Sequence, residues 1–224
     1  MLPIPTIVVN VKTYEEATGP TLYSLAQLMN KLAEETHASL ALSVQATDIY
    51  HTTKITSLPI FAQHIDPITP GSHTGWTLPQ AIKEAGATGT LINHSEHRLT
   101  LADIDTCINL AKKFNLDHIV CTNNVATSKA VAALNPNFIA VEPPELIGGD
   151  ISVTKADPDI VSNSVDVVKE INDKISVLCG AGVKNGQDVQ KAIELGADGV
   201  LLASGVVKPK DKKTVLQDLI AGLQ

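Results

Sequence analysis

Short runs of apolar residues, bounded by polar residues, glycine or proline, recur along the whole chain. Between them, apolar residues return at helical spacing. The centres of the runs do not alternate between apolar and polar residues, which is typical of parallel strands that are covered on both faces. The pattern therefore predicts eight strand–helix units. The predicted strands are Thr6–Val11, Ser39–Val44, Pro59–Gln63, Gly89–Asn93, His118–Thr122, Phe138–Glu142, Ser176–Gly180 and Gly199–Ser204.

The stretches between the runs carry helix start and stop signals. Thr100 and Asp103 have the spacing of an N-terminal cap, and Leu101 would begin the apolar face of the helix that follows. Gly86 and Gly196 follow two other periodic stretches, where a left-handed glycine would end the helix.

Eight such units in 224 residues, without a low-complexity linker, predict one domain that spans residues 1–224. A single closed (β/α)8 barrel, near the lower size limit of that architecture, accounts for this number of units. An open doubly wound sheet is an alternative, because the sequence does not show whether a sheet has edges. The G-x-G-x-x-G motif that such a sheet commonly carries after its first strand is absent, and Val11-Lys12-Thr13-Tyr14-Glu15 stands there.

Composition and charge exclude several classes of protein. A hydrophobic fraction of 44% and a charged fraction of 18% predict a large core and argue against disorder. The net charge of −7 argues against nucleic-acid binding, which needs Lys and Arg massed on one face. The one basic cluster, Lys208–Lys213, is interrupted by Pro209 and Asp211, and we interpret it as a solvated lead-in to a helix.

Cysteine usage indicates a reducing compartment. Cys107, Cys121 and Cys179 are odd in number, far apart and without a C-x-x-C pair, so we expect core thiols in a cytoplasmic protein. No stretch approaches the ~18 consecutive apolar residues that read as a membrane span, and the N-terminus lacks the pattern of a signal peptide. We expect no membrane partner, no metal and no cofactor.

Polar residues that end the predicted strands point to one site, because barrel chemistry lies at the carboxyl ends of the strands. Asn10 and Lys12 end the first strand on the same face. His94-Ser95-Glu96 follows the fourth strand, and Glu142 ends the sixth. Each could be an ordinary loop residue, but together they place a cation, an imidazole and a carboxylate on one rim.

Small residues follow the last two predicted strands, as Gly180-Ala181-Gly182 and Ala203-Ser204-Gly205. Such turns leave backbone N–H groups free, and barrels commonly hold phosphate at this location. A carboxylate, a neutral imidazole and an ammonium beside bound phosphate can move a proton next to a carbonyl group and stabilise the negative charge that develops.

Taken together, these residues resemble triosephosphate isomerases, in particular their short archaeal branch, over the whole chain. The resemblance implies the interconversion of dihydroxyacetone phosphate and D-glyceraldehyde 3-phosphate through an enediolate, in glycolysis and gluconeogenesis. It also implies a homo-oligomer, a dimer or a tetramer, in which the loop Asp66–Trp76 is buried by another subunit. The segments that carry the resemblance are Asn10-Val11-Lys12, Ala62-Gln63-His64, Thr74-Gly75, His94-Ser95-Glu96-His97-Arg98, Cys121, Glu142-Pro143, Ile147-Gly148, Gly180–Val183 and Asp198-Gly199.

The resemblance further implies roles for the site residues. Glu142 would be the base that moves the proton between C1 and C2, and His94 the neutral electrophile, held un-ionised by a helix N-terminus. Lys12 would bind substrate and stabilise the enediolate oxygen. Ser95 would brace the imidazole, and Glu96 would be a supporting carboxylate. The residues that would contact the substrate are Asn10, Lys12, Gly148, Gly182, Ala203, Ser204 and Gly205, and residues 143–149 would form a lid that excludes water.

Two other interpretations stay open at this point. Another phosphate-binding barrel enzyme, such as an aldolase or an enzyme of indole or histidine biosynthesis, would share the phosphate site. A Schiff-base aldolase needs a lysine within a middle strand, and predicted strands four to seven contain none. A non-catalytic phosphosugar-binding barrel should have lost Lys12, His94 or Glu142, but all three are present.

Overall fold

The computed structural model of the chain describes residues 1–143 and 158–224, and its parallel strands close into a barrel. β1 pairs with β2 on one side and with β8 on the other, so the sheet has no free edge. This closure confirms the (β/α)8 barrel and rejects the open sheet. The strands are β1 (Thr6–Asn10), β2 (Ser39–Val44), β3 (Ile60–Ala62), β4 (Gly89–Ile92), β5 (Asp117–Thr122), β6 (Phe138–Val141), β7 (Ser176–Cys179) and β8 (Gly199–Leu202).

Helices connect the strands, and their ends follow the capping signals in the sequence. The Thr100 hydroxyl accepts the backbone N–H of Asp103 at 3.2 Å, and Gly86 and Gly196 have φ of 101° and 90°. Leu101 was expected on the buried face but is 53% exposed, as the first residue of its helix. The helices of the described residues are α1 (Pro20–Thr36), α2 (Ile49–Ile55), α3 (Pro79–Glu84), α4 (Leu101–Lys113), α5 (Val125–Ala132), α6 (Pro158–Ile171), α7 (Gly186–Glu194), α8 (Ser204–Val207) and α9 (Lys212–Ala221).

Two layers of apolar side chains fill the molecule. The larger lies between the strands and the helices, and the smaller includes the buried rings of Phe61 and Phe138. A Cβ at Gly89 would overlap the Phe61 ring, so glycine there leaves room for the aromatic side chain. The three cysteines are buried, as expected of core thiols. Within the described part of the chain, no helix is both long and apolar enough to cross a membrane.

Candidate active site

A cavity of about 300 Å³ opens at the carboxyl ends of the strands. It brings together the cation, the imidazole and the carboxylate that the sequence placed at three strand ends. The loops after β7 and β8 form its other side. The lining residues are Asn10, Lys12, Tyr14, His94, Glu142, Gly180, Ala181, Gly182, Val183, Lys184, Leu201, Leu202, Ala203, Ser204, Gly205 and Lys208.

Neighbouring residues hold both the backbone and the ammonium group of Lys12. The strand β1 ends at Asn10, and Lys12 has φ of 49°, in the left-handed region. Its backbone N–H donates to Asn10 Oδ1 at 3.0 Å, and its carbonyl accepts from Gln63 Nε2 at 2.9 Å. The Nζ atom lies 2.8 Å from Glu96 Oε1. Asn10 therefore fixes the backbone that carries the cation, and Gln63 adds a support that sequence reasoning missed.

His94 has different neighbours at its two ring nitrogens. The backbone N–H of Glu96 donates to Nδ1 at 3.2 Å, whereas the carboxylate of Glu96 is 3.6 Å from that nitrogen. Because Nδ1 accepts the closer backbone donor, a neutral ring carries its proton on Nε2. The donor belongs to a turn that the His97 N–H closes on the His94 carbonyl at 2.8 Å. A turn thus stands where a helix N-terminus was expected, since α4 begins only at residue 101.

Glu142 lies directly after β6 and is only 3% exposed. Its backbone N–H donates to the Thr122 carbonyl at 2.7 Å, and its Oε1 lies 3.3 Å from His94 Nε2. The other oxygen, Oε2, is buried and has no hydrogen-bond partner among the described residues. Buried polar atoms usually have hydrogen-bond partners. A role in reaction with a bound substrate would explain why this oxygen has none. Gly180 makes room for this side chain, because a Cβ there would be 2.5 Å from Glu142 Cγ.

The thiol of Cys121 lies beside this carboxylate. Burial, and then the negative charge of Glu142, raise the pKa of Cys121 well above its usual range. Burial raises the pKa of Cys107 and of Cys179 to about 12. Because the thiolate is the reactive form of cysteine, none of these side chains has the properties of a nucleophile at neutral pH.

The residues expected at the phosphate lie around the other side of the cavity. Gly182 has φ of 67°, a conformation that favours glycine, and Ser204 begins the short helix α8. A Cβ at Gly205 would be 3.3 Å from the Val183 carbonyl, so the loops after β7 and β8 approach closely. Ala203 lines the cavity with them. Gly148, and the expected lid beyond Pro143, lie outside the described residues.

Ser95 and Glu96 differ in what they contact. Glu96 pairs with Lys12 and supplies the N–H to the imidazole. Ser95 Oγ is buried without a hydrogen-bond partner in the described ranges, so its hydroxyl makes no contact there that would brace the ring.

Sequence reasoning did not assign Tyr14, Lys184 or Lys208 to the site, yet their side chains line the cavity. The Nζ atom of Lys208 is 5.0 Å from the centre of the Tyr14 ring. Lys208 is exposed and precedes α9, as expected of a solvated lead-in to a helix, and its side chain also lines the cavity. Its spacing of four residues from Ser204 was the available signal, since positions i and i+4 share a helix face.

A comparison with protein-family models and a comparison with individual proteins agree with each other. A family model described as triosephosphate isomerase matches residues 5–221. A protein named triosephosphate isomerase from Methanobrevibacter smithii is 53% identical over 219 residues, which cover 98% of this chain and 99% of the relative. Proteins of the same name from Methanocaldococcus jannaschii and Methanosarcina barkeri are 52% and 51% identical, over 96% and 97% of this chain and 98% of each relative.

Proposed function

The chain belongs to the triosephosphate isomerase family, and we propose that Glu142, His94 and Lys12 carry out its reaction in the cavity described above. The enzyme is an aldose–ketose isomerase that interconverts dihydroxyacetone phosphate and glyceraldehyde 3-phosphate. The observation that carries the assignment is the 3.3 Å approach of His94 Nε2 to a buried carboxylate in a cavity that Lys12 also lines.

Glu142 is proposed as the base. Its unpartnered Oε2 accepts the proton from C1 of dihydroxyacetone phosphate, which leaves an enediolate. The hydroxyl proton of O1 passes to O2 through His94 Nε2, and return of the proton from Glu142 to C2 then gives glyceraldehyde 3-phosphate, so the carboxylate ends the cycle in the form in which it began. Burial beneath the cavity keeps competing water away from this oxygen.

His94 and Lys12 are proposed to stabilise the charge that develops on the substrate oxygens. With Nδ1 engaged by the Glu96 N–H, the His94 ring presents its Nε2 proton to these oxygens. The Lys12 ammonium pairs with Glu96 and its backbone N–H donates to the side chain of Asn10, so Lys12 contributes a fixed positive charge. Such groups need little reorganisation when the charge appears, which is what makes them effective.

The substrate phosphate is proposed to bind the backbone N–H groups of Gly182, Ser204 and Gly205. The left-handed turn at Gly182 and the start of α8 leave these donors without helix partners. Lys184 and Lys208 line the same side and add positive potential to a protein whose net charge is −7. An anionic substrate is therefore attracted to this wall of the cavity.

A coupled assay with glyceraldehyde 3-phosphate tests these roles. Glu142→Asp withdraws the carboxylate by one methylene, and a misplacement of about 1 Å lowers kcat by about 10²-fold. KM should change little, because the phosphate contacts remain. Lys12→Met should weaken binding and turnover together, since the cation acts in both the ground and the transition state. Lys129→Met, an exposed position on α5, is the control. Near-normal kcat in Glu142→Asp would contradict the assignment.

We also propose that residues 1–224 act as one domain and that the protein is a cytoplasmic homo-oligomer, either a dimer or a tetramer. Asp66 closes the base of the loop 66–76, because its Oδ2 accepts the Thr77 N–H at 2.6 Å. Near the end of this loop Trp76 is 55% exposed, with the His73 ring 6.0 Å away. Exposed aromatic anchors are typical of protein interfaces. The buried free cysteines suit a reducing compartment.

A further inference from the structure

Both polar atoms of the Asn93 side chain are hydrogen-bonded, although the residue does not line the cavity. The residue lies between β4 and His94, is 4% exposed and has φ of 61°. Its Oδ1 accepts the backbone N–H of Leu99 at 2.9 Å, and its Nδ2 donates to the Cys121 carbonyl at 2.9 Å. The carboxamide therefore ties three separate stretches of backbone together.

One of these contacts closes the loop that carries His94. Leu99 stands near the far end of that loop, one residue before the N-cap of α4, so its bond to Asn93 joins the two ends of the loop. Arg98 reinforces the closure, because its Nη1 donates to the Asn93 carbonyl at 3.4 Å. The Glu96 N–H that meets His94 Nδ1 lies inside this closed loop. Its position therefore depends on the closure.

The other contact connects Asn93 to the strand beside the proposed base, Glu142. The carbonyl that accepts from Asn93 Nδ2 belongs to Cys121 on β5, whose thiol lies beside Glu142. Glu142 is also bonded to the next residue of β5, Thr122, through its backbone N–H. One carboxamide thus joins the loop of the imidazole to the strand that holds the carboxylate.

We propose that Asn93 is a positioning residue that fixes the distance between His94 and Glu142 and holds the Glu96 N–H against the ring. The inference rests on the proposed roles of His94 and Glu142. Asparagine suits this position because it tolerates the left-handed conformation better than other side chains do. Glycine would adopt the same backbone but would lose both carboxamide bonds.

Asn93→Gly is the informative variant, because it keeps the backbone conformation and removes only the side-chain ties. A 1 Å misplacement costs about 10²-fold in rate, so partial release of the loop should lower kcat by about tenfold while KM stays within about threefold. Asn135→Gly is the matched control. Asn135 also has a positive φ, of 58°, and its Oδ1 accepts from Asn172 at 2.6 Å, but it precedes β6 at the opposite end of the barrel. This control should leave kcat unchanged.

A double-mutant cycle separates positioning from a general loss of structure. If Asn93 acts through His94, adding Asn93→Gly to His94→Gln should cost less than about twofold in kcat, whereas independent effects would multiply. An equal loss in both backgrounds would overturn the proposal, as would a lower melting temperature with unchanged kcat. If Asn93→Gly does not fold, Asn93→Asp, which retains the acceptor for the Leu99 N–H, is measured in the same cycle.

The same cycle distinguishes failure of this inference from failure of the proposed function. His94→Gln alone should lower kcat by about 10²-fold or more, as expected for loss of a general acid. Wild-type turnover in that variant would contradict the proposed role of His94, on which the proposed function rests. If His94→Gln shows the expected loss of kcat but no coupling to Asn93→Gly, only the positioning role of Asn93 is contradicted.

Discussion

Gly180→Ala should disable the enzyme although it replaces none of the three proposed catalytic residues. Gly180 follows β7, and its N–H donates to the Val141 carbonyl at 2.9 Å. Its φ is not among the positive values, so alanine can adopt the backbone. The added Cβ would be 2.5 Å from Glu142 Cγ, where ordinary van der Waals contact begins at 3.4 Å. The carboxylate would have to move by about 0.9 Å, and a misplacement near 1 Å lowers turnover by about 10²-fold.

Steady-state kinetics in both directions, with a melting curve for each protein, measure this effect. We expect the loss in kcat, whereas KM should stay near the wild-type value, because Lys12 and the residues proposed to bind phosphate, Gly182, Ser204 and Gly205, are not replaced. Lys129→Ala is the control, since this position is exposed on α5 and does not line the cavity. A folded Gly180→Ala protein with kcat within about threefold of wild type would refute the reasoning, because 1 Å should cost about 10²-fold.

Lys208→Gln should lower kcat/KM at low ionic strength, and the loss should shrink as salt screens the charge over a Debye length of about 10 Å at 0.1 M. The same loss at all salt concentrations would contradict a long-range role, and Lys129→Gln is the control. Light scattering should show a dimer or a tetramer, and Trp76→Ser should weaken the association of the subunits. An active monomer at micromolar concentration would refute the proposed assembly. Iodoacetamide should label none of the three cysteines in the folded protein at neutral pH, because each is buried with a raised thiol pKa. Labelling before unfolding would contradict this.

The barrel could be predicted because its strands are buried on both faces, which leaves runs of apolar residues without alternation. The predicted ends of the strands were less accurate. The first run continues to Val11, yet β1 ends at Asn10, because Lys12 turns into the left-handed region and leaves the sheet. Apolar character shows what is buried, but it does not show where the extended backbone of a strand ends.

The meeting of Glu142 and His94 at one cavity could be predicted, because each residue stands at the carboxyl end of a strand. A contact could not be predicted where it depends on how a loop folds. The carboxamide of Asn93 binds residues six and 28 positions away, a pairing that no local pattern indicates. The resemblance likewise implied a helix N-terminus beside His94, whereas a turn closed by the His97 N–H stands there.

Proton transfer by Glu142 is the central claim, and solvent exchange tests it most directly. Glu142→Gln keeps the shape of the side chain but removes its ability to accept a proton, while Lys12 and the phosphate contacts remain. With dihydroxyacetone phosphate in tritiated water, the wild-type enzyme should incorporate tritium into recovered substrate and product. The variant should bind substrate, turn over at a rate lower by about 10²-fold or more, and incorporate almost no tritium. Near-normal turnover with wild-type tritium incorporation in Glu142→Gln would contradict the account.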